Sequence, residues 1–261
     1  MNHDPAPSYQ VHRRFSSPPE GVERVVRVYR PPAPPGTAFR LLVMQDGQNL
    51  LDFDHDPSLA PWGVNEGLDP TTLRGNGPPW LLVAVDHRGV DRIGDYSPWP
   101  DPRLPVEARG QRYGAFVAEH LIPWARATLP VLDGPEHTAI AGSSLGGLVA
   151  LFIAWRYPEV VRRVAAFSPS VMWSSRQLFR YWSHHPGGLQ RVYLDAGSRE
   201  YFDTGDIVLD YGLDVSEFHR HLQAVGYADQ ELRLVQDPRG QHCEYDWRRR
   251  FPAALRWLAR G

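Results

Sequence analysis

The stretch TAIAGSSLGGLVALFIAW, residues 138–155, changes its hydrophobic period in the middle of the run. Up to Ala141 the pattern is typical of a short buried strand, and from Leu145 it is typical of a helix that is apolar on nearly every side. Only Gly142, Ser143 and Ser144 separate the two patterns. The chain must therefore reverse within a few residues around a serine.

Apolar runs and helical patterns alternate along the rest of the chain, which predicts βαβ units and a mostly parallel central sheet with helices on both faces. The first two strands are expected to form an antiparallel edge. We predict an N-terminal arm over residues 1–21 and one α/β domain over residues 22–261. The connections 46–78 and 87–112 are long enough to be active-site loops. The predicted strands are 24–29, 40–45, 80–86, 137–142, 163–168, 191–196 and 231–236, and the clearest helical patterns are 113–124, with a kink at Pro123, and 247–258.

The tight turn reads GSSLG and matches the pattern G-x-S-x-G, with Ser144 at its centre. A Cβ atom at Gly142 or Gly146 would collide with the neighbouring strand or helix, so both positions need glycine. The turn would place Ser144 at the carboxyl edge of the sheet, beside the free N–H groups of a helix N-terminus. That placement suits a nucleophile in a reaction that develops negative charge on oxygen. A packing turn or a phosphate-binding loop is the alternative, but no P-loop lysine follows the motif.

A serine nucleophile needs a base, and the base needs a carboxylate that orients it. On such a sheet both partners are expected on loops after the last strands, in the order acid and then histidine. His242 follows the last predicted strand, in a Pro/Gly loop before the C-terminal helix. Glu200 is the acidic residue nearest the end of the preceding strand, and Asp203 is the reserve choice.

Two backbone N–H groups are predicted to stabilise an oxyanion. One belongs to Leu145, and the other to Gln48 in the sharp break after strand 40–45, where Gly47 would permit the turn. Asp46, Trp62 and Trp173 are weaker candidates for contacts with a substrate. Arg88 and Arg92 could bind an anionic group or form surface ion pairs.

Composition argues against several classes of protein. The formal net charge is −2 and no basic block stands out, so we expect neither a nucleic-acid partner nor a membrane partner. A single cysteine, Cys243, excludes an internal disulfide. No secretory signal or membrane-length apolar run is recognisable, so we expect a cytoplasmic protein. No spaced ligand set points to a metal, and no cofactor is expected.

With these residues assembled, the chain resembles the esterase D-like (putative esterase) branch of the α/β-hydrolases, from about residue 22 to 260. The matching segments are LLVMQDGQNLLD, VAVDHRGVDRIGDYSPW, the block around GSSLGG, YLDAGSRE and GQHCEYDWRRRFPAALRWL. Relatives in this branch include siderophore esterases, feruloyl esterases and mycolyltransferases. The resemblance implies the α/β-hydrolase fold, with Ser144 as nucleophile, His242 as base, Glu200 as orienting acid, and the amides of Gln48 and Leu145 as oxyanion donors. Many members have Asp where this chain has Glu200, and some work with serine and histidine alone.

The expected activity is that of a serine esterase acting on a small-molecule carboxylic ester through an acyl-enzyme. An acyltransferase that uses the same three residues is the alternative, and a non-catalytic binding protein on the same fold is a further one. The sequence does not indicate which ester is the physiological substrate, or the oligomeric state.

Overall fold

A computed structural model describes residues 6–58, 60–69, 77–185, 191–203, 205 and 208–260. Its centre is an eight-stranded sheet in the order β1-β2-β4-β3-β5-β6-β7-β10. Strands β3 to β7 and β10 run parallel to one another, and β2 is antiparallel to both β1 and β4. The strands are β1 Ser8–Ser17, β2 Val22–Arg30, β3 Arg40–Gln45, β4 Trp80–Val85, β5 Thr138–Ser143, β6 Arg163–Phe167, β7 Arg191–Gly197, β8 Tyr201–Asp203, β9 Val208–Asp210 and β10 Leu232–Asp237.

All seven strands predicted from the sequence are present, as is the mostly parallel sheet of the α/β-hydrolase fold. Every residue of β3, β4, β5 and β6 is buried, because helices cover both faces of these parallel strands. One apolar cluster packs under helices α3, α4, α5 and α7 and includes Phe116, Leu148 and Phe218. The other packs under helix α8 and includes Trp247 and Leu255.

The helices are α1 Val64–Gly67, α2 Arg92–Asp95, α3 Gly110–Phe116, α4 Ile122–Thr128, α5 Leu145–Arg156, α6 Trp173–Tyr181, α7 Tyr211–Ala224 and α8 Glu244–Ala259. A π turn, Val117–Leu121, joins α3 to α4 and precedes Pro123, the position of the predicted kink. Helix α5 buries ten of its twelve residues, as its uniformly apolar sequence requires. The short 3-10 helices are Gly47–Asn49, Gly89–Asp91 and Pro135–His137.

Two expectations about the N-terminal part of the chain are wrong. Residues 8–17 do not lie in a loose arm, because they form β1 and pair along the length of β2. The strands 24–29 and 40–45 do not pair with each other, since β4 lies between them in the sheet. The antiparallel edge is therefore made by β1 and β2, and β3 is a buried interior strand that is parallel to β4 and β5.

A short antiparallel hairpin of β8 and β9 follows β7 and is not part of the main sheet. It was not predicted, because each of its strands has only three residues. It exposes apolar side chains, among them Tyr201, Phe202 and Val208. The hairpin lies at the carboxyl ends of the parallel strands, which is where ligands bind in sheets of this kind.

Candidate active site

Ser144 occupies the turn between β5 and α5 with a strained backbone, φ 54° and ψ −124°. For a residue with a Cβ atom this conformation costs about 1–3 kcal/mol, and it persists only where the surroundings enforce it. The backbone N–H of Ser144 donates to the carbonyl of Phe167 at 3.0 Å, and the N–H of Ser170 donates to the carbonyl of Ser144 at 3.0 Å. Both partners belong to β6 or to the loop after it, so the neighbouring strand holds the serine in place.

The glycines on either side of Ser144 have the packing that the sequence motif requires. A Cβ atom on Gly142 would lie 2.6 Å from the backbone of Gly146. A Cβ atom on Gly146 would lie 3.2 Å from the carboxylate of Asp46. Helix α5 can therefore begin directly against β5 because Gly142 has no side chain, whereas a side chain at Gly146 would press tightly on Asp46 in the turn after β3.

His242 and Glu200 form a hydrogen-bonded pair. The Nδ1–H of His242 donates to Oε2 of Glu200 at 2.9 Å. His242 lies in the loop between β10 and α8, and Glu200 lies in the loop between β7 and β8. Since the carboxylate only accepts hydrogen bonds, the contact fixes the proton on Nδ1 and leaves Nε2 free as an acceptor.

The second oxygen of Glu200 is also fully engaged, and the side chain is only 1% exposed. Oε1 accepts from the N–H of Gly197 at 2.7 Å and from the hydroxyl of Ser168 at 2.8 Å. The hydroxyl of Ser168 in turn accepts from the indole N–H of Trp247 at 3.0 Å. The Trp247 ring lies 5.0 Å from the His242 ring, so the same side chains hold both members of the pair.

A buried arginine lies behind Glu200. Arg250 donates to Asp195 at 3.0 Å and to Asp237 at 3.3 Å, and its guanidinium lies 3.7 Å from Glu200. Complete burial raises the pKa of Asp195 to about 7, against the opposing effect of Arg250. Asp195 contacts Arg250 and the N–H of Ser168, so it supports the site from behind.

The structure separates Asp203, the reserve choice of acid, from the histidine. Its side chain is exposed on β8 and accepts a hydrogen bond from the N–H of Gly205 at 2.8 Å. Glu200 is therefore the carboxylate that His242 contacts in the described part of the chain. Asp206, also in this loop, lies outside the described residues.

The Ser144 hydroxyl lies 3.4 Å from the hydroxyl of Ser170, and among the described residues it makes no hydrogen bond to His242. Ser170 is in turn 3.3 Å from the hydroxyl of Tyr211. Burial raises the pKa of Tyr211, and hydrogen bonds with Ser170 and Ser144 lower it. Contacts between a nucleophile and its base are often loose before substrate binds and tighten afterwards.

The backbone N–H groups of Leu145 and Gln48 are both unpaired within the described part of the chain. Leu145 is the first residue of α5, and Gln48 is the middle residue of the 3-10 helix after β3. Asp46 has the left-handed backbone of this turn, with φ 59°. Gly47 is required for a different reason than the predicted one, because a Cβ atom there would lie 2.6 Å from the carboxylate of Asp86.

Asp46, a predicted substrate contact, is instead held by an arginine. Arg92 donates to its two carboxylate oxygens at 2.7 and 2.8 Å. Arg88 similarly pairs with Asp95 at 2.9 Å. Arg88 and Arg92, the two arginines considered as anion-binding candidates, are thus engaged in ion pairs, and Arg92 fixes the loop that carries the Gln48 amide.

A cavity of about 230 Å³ opens beside Ser144. Its wall is mainly apolar, and Trp173 forms part of it, as the sequence suggested. Trp62 does not reach it, because that ring is 2% exposed and packs in the core against Phe167 and Trp247. The residues that line the cavity are Arg103, Leu104, Ser144, Leu145, Ser170, Met172, Trp173, Leu209 and Tyr211.

Sequence reasoning did not identify Ser168, Ser170, Tyr211 or Arg250 as part of this site. Ser168 and Ser170 lie in the segment FSPS, which begins at the last residue of β6. A loop that follows the strand next to Ser144 could have been recognised from the sequence as part of the site. Tyr211 and Arg250 are the first residue of α7 and an interior residue of α8. Arg250 lies in the family-matching segment around His242, but nothing in that segment indicates a contact with Glu200, and tertiary packing brings Tyr211 to the histidine and Arg250 to Glu200.

Two kinds of feature are absent from the ranges that the structure describes. No group of three or more His, Cys, Asp or Glu side chains in these ranges is arranged to hold a metal ion. No helix in these ranges is long and apolar enough to cross a bilayer.

The sequence and fold were compared with known proteins. The family model described as "Putative esterase" matches residues 17–258. The uncharacterized protein YbbA of Bacillus subtilis (strain 168) is 24% identical over 68% of this chain and 73% of its own length. The iron(III) enterobactin esterase of Dickeya dadantii (strain 3937) is 26% identical over 85% of this chain. This chain spans about half of that relative, 48% of its length.

Among solved structures, the enterobactin esterase FES from Shigella flexneri superposes with a TM-score of 0.71 at 20% identity. The match covers 98% of this chain and 60% of that one. At this identity the likeness concerns the fold, which agrees with the predicted α/β-hydrolase architecture. The family match covers nearly the whole chain and supports the carboxylic-ester hydrolase activity that the sequence predicts. The chain belongs to the putative esterase family.

Proposed function

We propose that the protein is a serine carboxylic-ester hydrolase that works through an acyl-enzyme on Ser144. The observation that carries the proposal is the hydrogen bond between His242 and the buried Glu200, with Ser144 on a strained turn at the same sheet edge. A serine, a carboxylate and a histidine, in this order along the chain, are the parts that acyl transfer needs on a sheet of this type.

The reaction begins when Nε2 of His242 accepts the Ser144 proton and the hydroxyl oxygen attacks the ester carbonyl. Rotation about the Cα–Cβ bond of Ser144 takes its hydroxyl from Ser170 to the imidazole. Glu200 stabilises the imidazolium that forms, and its buried hydrogen bonds hold the ring in the required tautomer.

The negative charge that develops on the carbonyl oxygen is stabilised by the N–H groups of Leu145 and Gln48. One such donor contributes about 100- to 1,000-fold to the rate. The Asp46–Arg92 ion pair supports this arrangement, since it fixes the loop that presents Gln48. The alcohol then leaves with a proton from His242, and water repeats the same steps on the acyl-enzyme.

The acyl group occupies the cavity beside Ser144. Leu104, Met172 and Trp173 line it with apolar surface, and its volume of about 230 Å³ suits a short aliphatic chain or one aromatic ring. We therefore propose esters with a small apolar or aromatic acyl group as substrates. Since two of the similar proteins are named enterobactin esterases, enterobactin is the first natural compound to test.

The test is labelling by a fluorophosphonate probe together with hydrolysis of p-nitrophenyl acetate. The wild-type protein should react with both, and Ser144→Ala should lose the label and at least about 10⁴-fold in kcat/KM. Ser183→Ala, at an exposed serine that contacts His184 and does not line the cavity, is the control and should keep the label. A folded wild-type protein that neither takes the probe nor hydrolyses any ester would refute the proposal.

A further inference from the structure

Tyr211 contacts His242 and lines the same cavity as Ser144. Its ring lies 4.3 Å from the His242 ring, and its hydroxyl lies 3.3 Å from that of Ser170, which is itself 3.4 Å from the hydroxyl of Ser144. The side chain is 7% exposed, and what remains exposed faces the cavity beside Ser144. A phenol in this position can reach a substrate that is bound to the serine.

The strand order indicates whether Tyr211 would contact the carbonyl oxygen or the alcohol oxygen of a bound ester. Strand β5, which ends at Ser144, lies between β3 and β6. Gln48 follows β3 on one side of the serine, and Tyr211 lies beyond β7 on the other side. The phenol and the Gln48 amide therefore approach the serine from opposite sides. Tyr211 is placed next to the histidine, where the alcohol oxygen of the ester must lie to receive its proton.

We propose that Tyr211 is a catalytic residue that donates a hydrogen bond to the alcohol oxygen of the ester as this oxygen leaves. The inference rests on the proposed esterase function. When the tetrahedral intermediate collapses, the bond from carbon to the alcohol oxygen breaks and its electron pair stays on that oxygen. The proton of the His242 imidazolium passes to it, the Ser144 ester remains, and Tyr211 keeps its own proton throughout.

Two features of the structure prepare Tyr211 for this role. Burial raises its pKa above the usual value of 10.0, so the phenol is protonated and available as a donor at neutral pH. The backbone N–H of Tyr211 donates to the carbonyl of Glu200 at 3.1 Å. The ring is thus tied to the same short segment that positions the histidine. In the resting site the serine hydroxyls occupy the position that a substrate oxygen would take.

The test compares Tyr211→Phe with the wild type on four acetates, p-nitrophenyl, phenyl, trifluoroethyl and ethyl. The measured quantity is kcat/KM, which reports the step that expels the alcohol. Loss of the hydrogen bond should lower kcat/KM by about 10-fold or more for ethyl acetate, and by less than about 2-fold for p-nitrophenyl acetate. The effect should increase steadily with the basicity of the leaving oxygen, because p-nitrophenolate leaves without help.

Tyr227→Phe is the matched control. Tyr227 is also buried, and its hydroxyl accepts from the indole N–H of Trp182 at 3.0 Å, away from the proposed site. This variant should lose stability and keep the wild-type dependence on the leaving group. Fluorophosphonate labelling of Ser144 in Tyr211→Phe should proceed at nearly the wild-type rate, which shows that the variant is folded and that the serine and histidine still work.

The proposed role of Tyr211 would be overturned if kcat/KM fell equally on all four esters or fell on none of them. Loss of fluorophosphonate labelling in Tyr211→Phe would overturn it as well. These outcomes differ from failure of the esterase proposal itself, in which the wild-type protein would hydrolyse none of the four esters and take no label.

Discussion

The two sides of the candidate site are held in place by different forces. The turn around Ser144 contains no charged residue from Gly142 to Gly147, and steric contacts of its backbone define it. The histidine side depends on a buried set of charges and hydrogen-bond donors, with Glu200, Asp195 and Arg250 at its centre. A larger side chain in the turn should therefore disturb Ser144, the proposed nucleophile. Loss of a charge near Glu200 should instead disturb His242, the proposed base.

The largest effect should come from the charge that contacts the histidine. Glu200→Gln preserves the shape of the side chain but favours the wrong histidine tautomer, so kcat/KM should fall by about 10⁴-fold. Asp203→Asn, three residues further along in β8, should keep wild-type activity because its carboxylate is exposed and accepts a hydrogen bond from Gly205, whereas Glu200 is the partner of His242. Steady-state kinetics on p-nitrophenyl acetate measures both. The reverse ranking would show that Asp203 is the acid.

The next effect is on stability. Arg250→Met removes the cation that three buried carboxylates share, and its free energy of unfolding should fall by about 3–5 kcal/mol. Arg248→Met, at a half-buried position of the same helix whose partners Asp52 and Glu66 remain in contact with solvent, should cost less, about 1 kcal/mol. Urea denaturation of both variants gives the values. Equal losses in the free energy of unfolding would contradict the idea that the burial of Arg250 makes its charge more important for stability than that of Arg248.

The steric side of the comparison predicts a smaller but specific change. Gly142→Ala places a methyl group 2.6 Å from the backbone of Gly146, so either the strand or the helix must shift. We expect a loss of about 1–3 kcal/mol in stability and a clear drop in kcat. Gly212→Ala meets nothing closer than 3.4 Å and should be neutral or slightly stabilising. Thermal unfolding and kinetics of the two alanine variants test the contrast, and identical behaviour would contradict it.

The smallest effect concerns the rim of the cavity. Hydrogen bonds from Arg103 lower the pKa of Asp101, and this carboxylate also accepts from the N–H of Ser174 next to Trp173. A depressed pKa means that the ionised carboxylate stabilises the fold at neutral pH and that this contribution is lost as the pH falls below about 4.

Asp101→Asn should therefore be less stable than the wild type at pH 7, by at most about 1 kcal/mol. The difference should shrink on acidification, and urea denaturation at several pH values measures it. If the difference in stability between the wild type and Asp101→Asn grew as the pH fell, the predicted direction of the pH dependence would be wrong.

Much of the fold was readable from the sequence, because buried parallel strands are continuous apolar runs. Strand β1 was missed since its sequence, SYQVHRRFSS, is mostly polar and belongs to an exposed edge. The neighbours of β3 were wrongly assigned because local patterns define a strand but not its partners. The pairing of His242 with Glu200 followed from chain order, whereas the positions of Tyr211 and Arg250 in the site depend on tertiary packing that no local pattern encodes.

Helix α8 carries consequences beyond its own packing. Its sixteen residues include Trp247 and Arg250, and it begins two residues after His242. A chimera that exchanged this helix for that of a relative would also exchange the environment of the imidazole. Engineers who recombine members of the family should therefore transfer residues 232–259, the last strand together with α8, as one block, with the crossover point upstream of that strand.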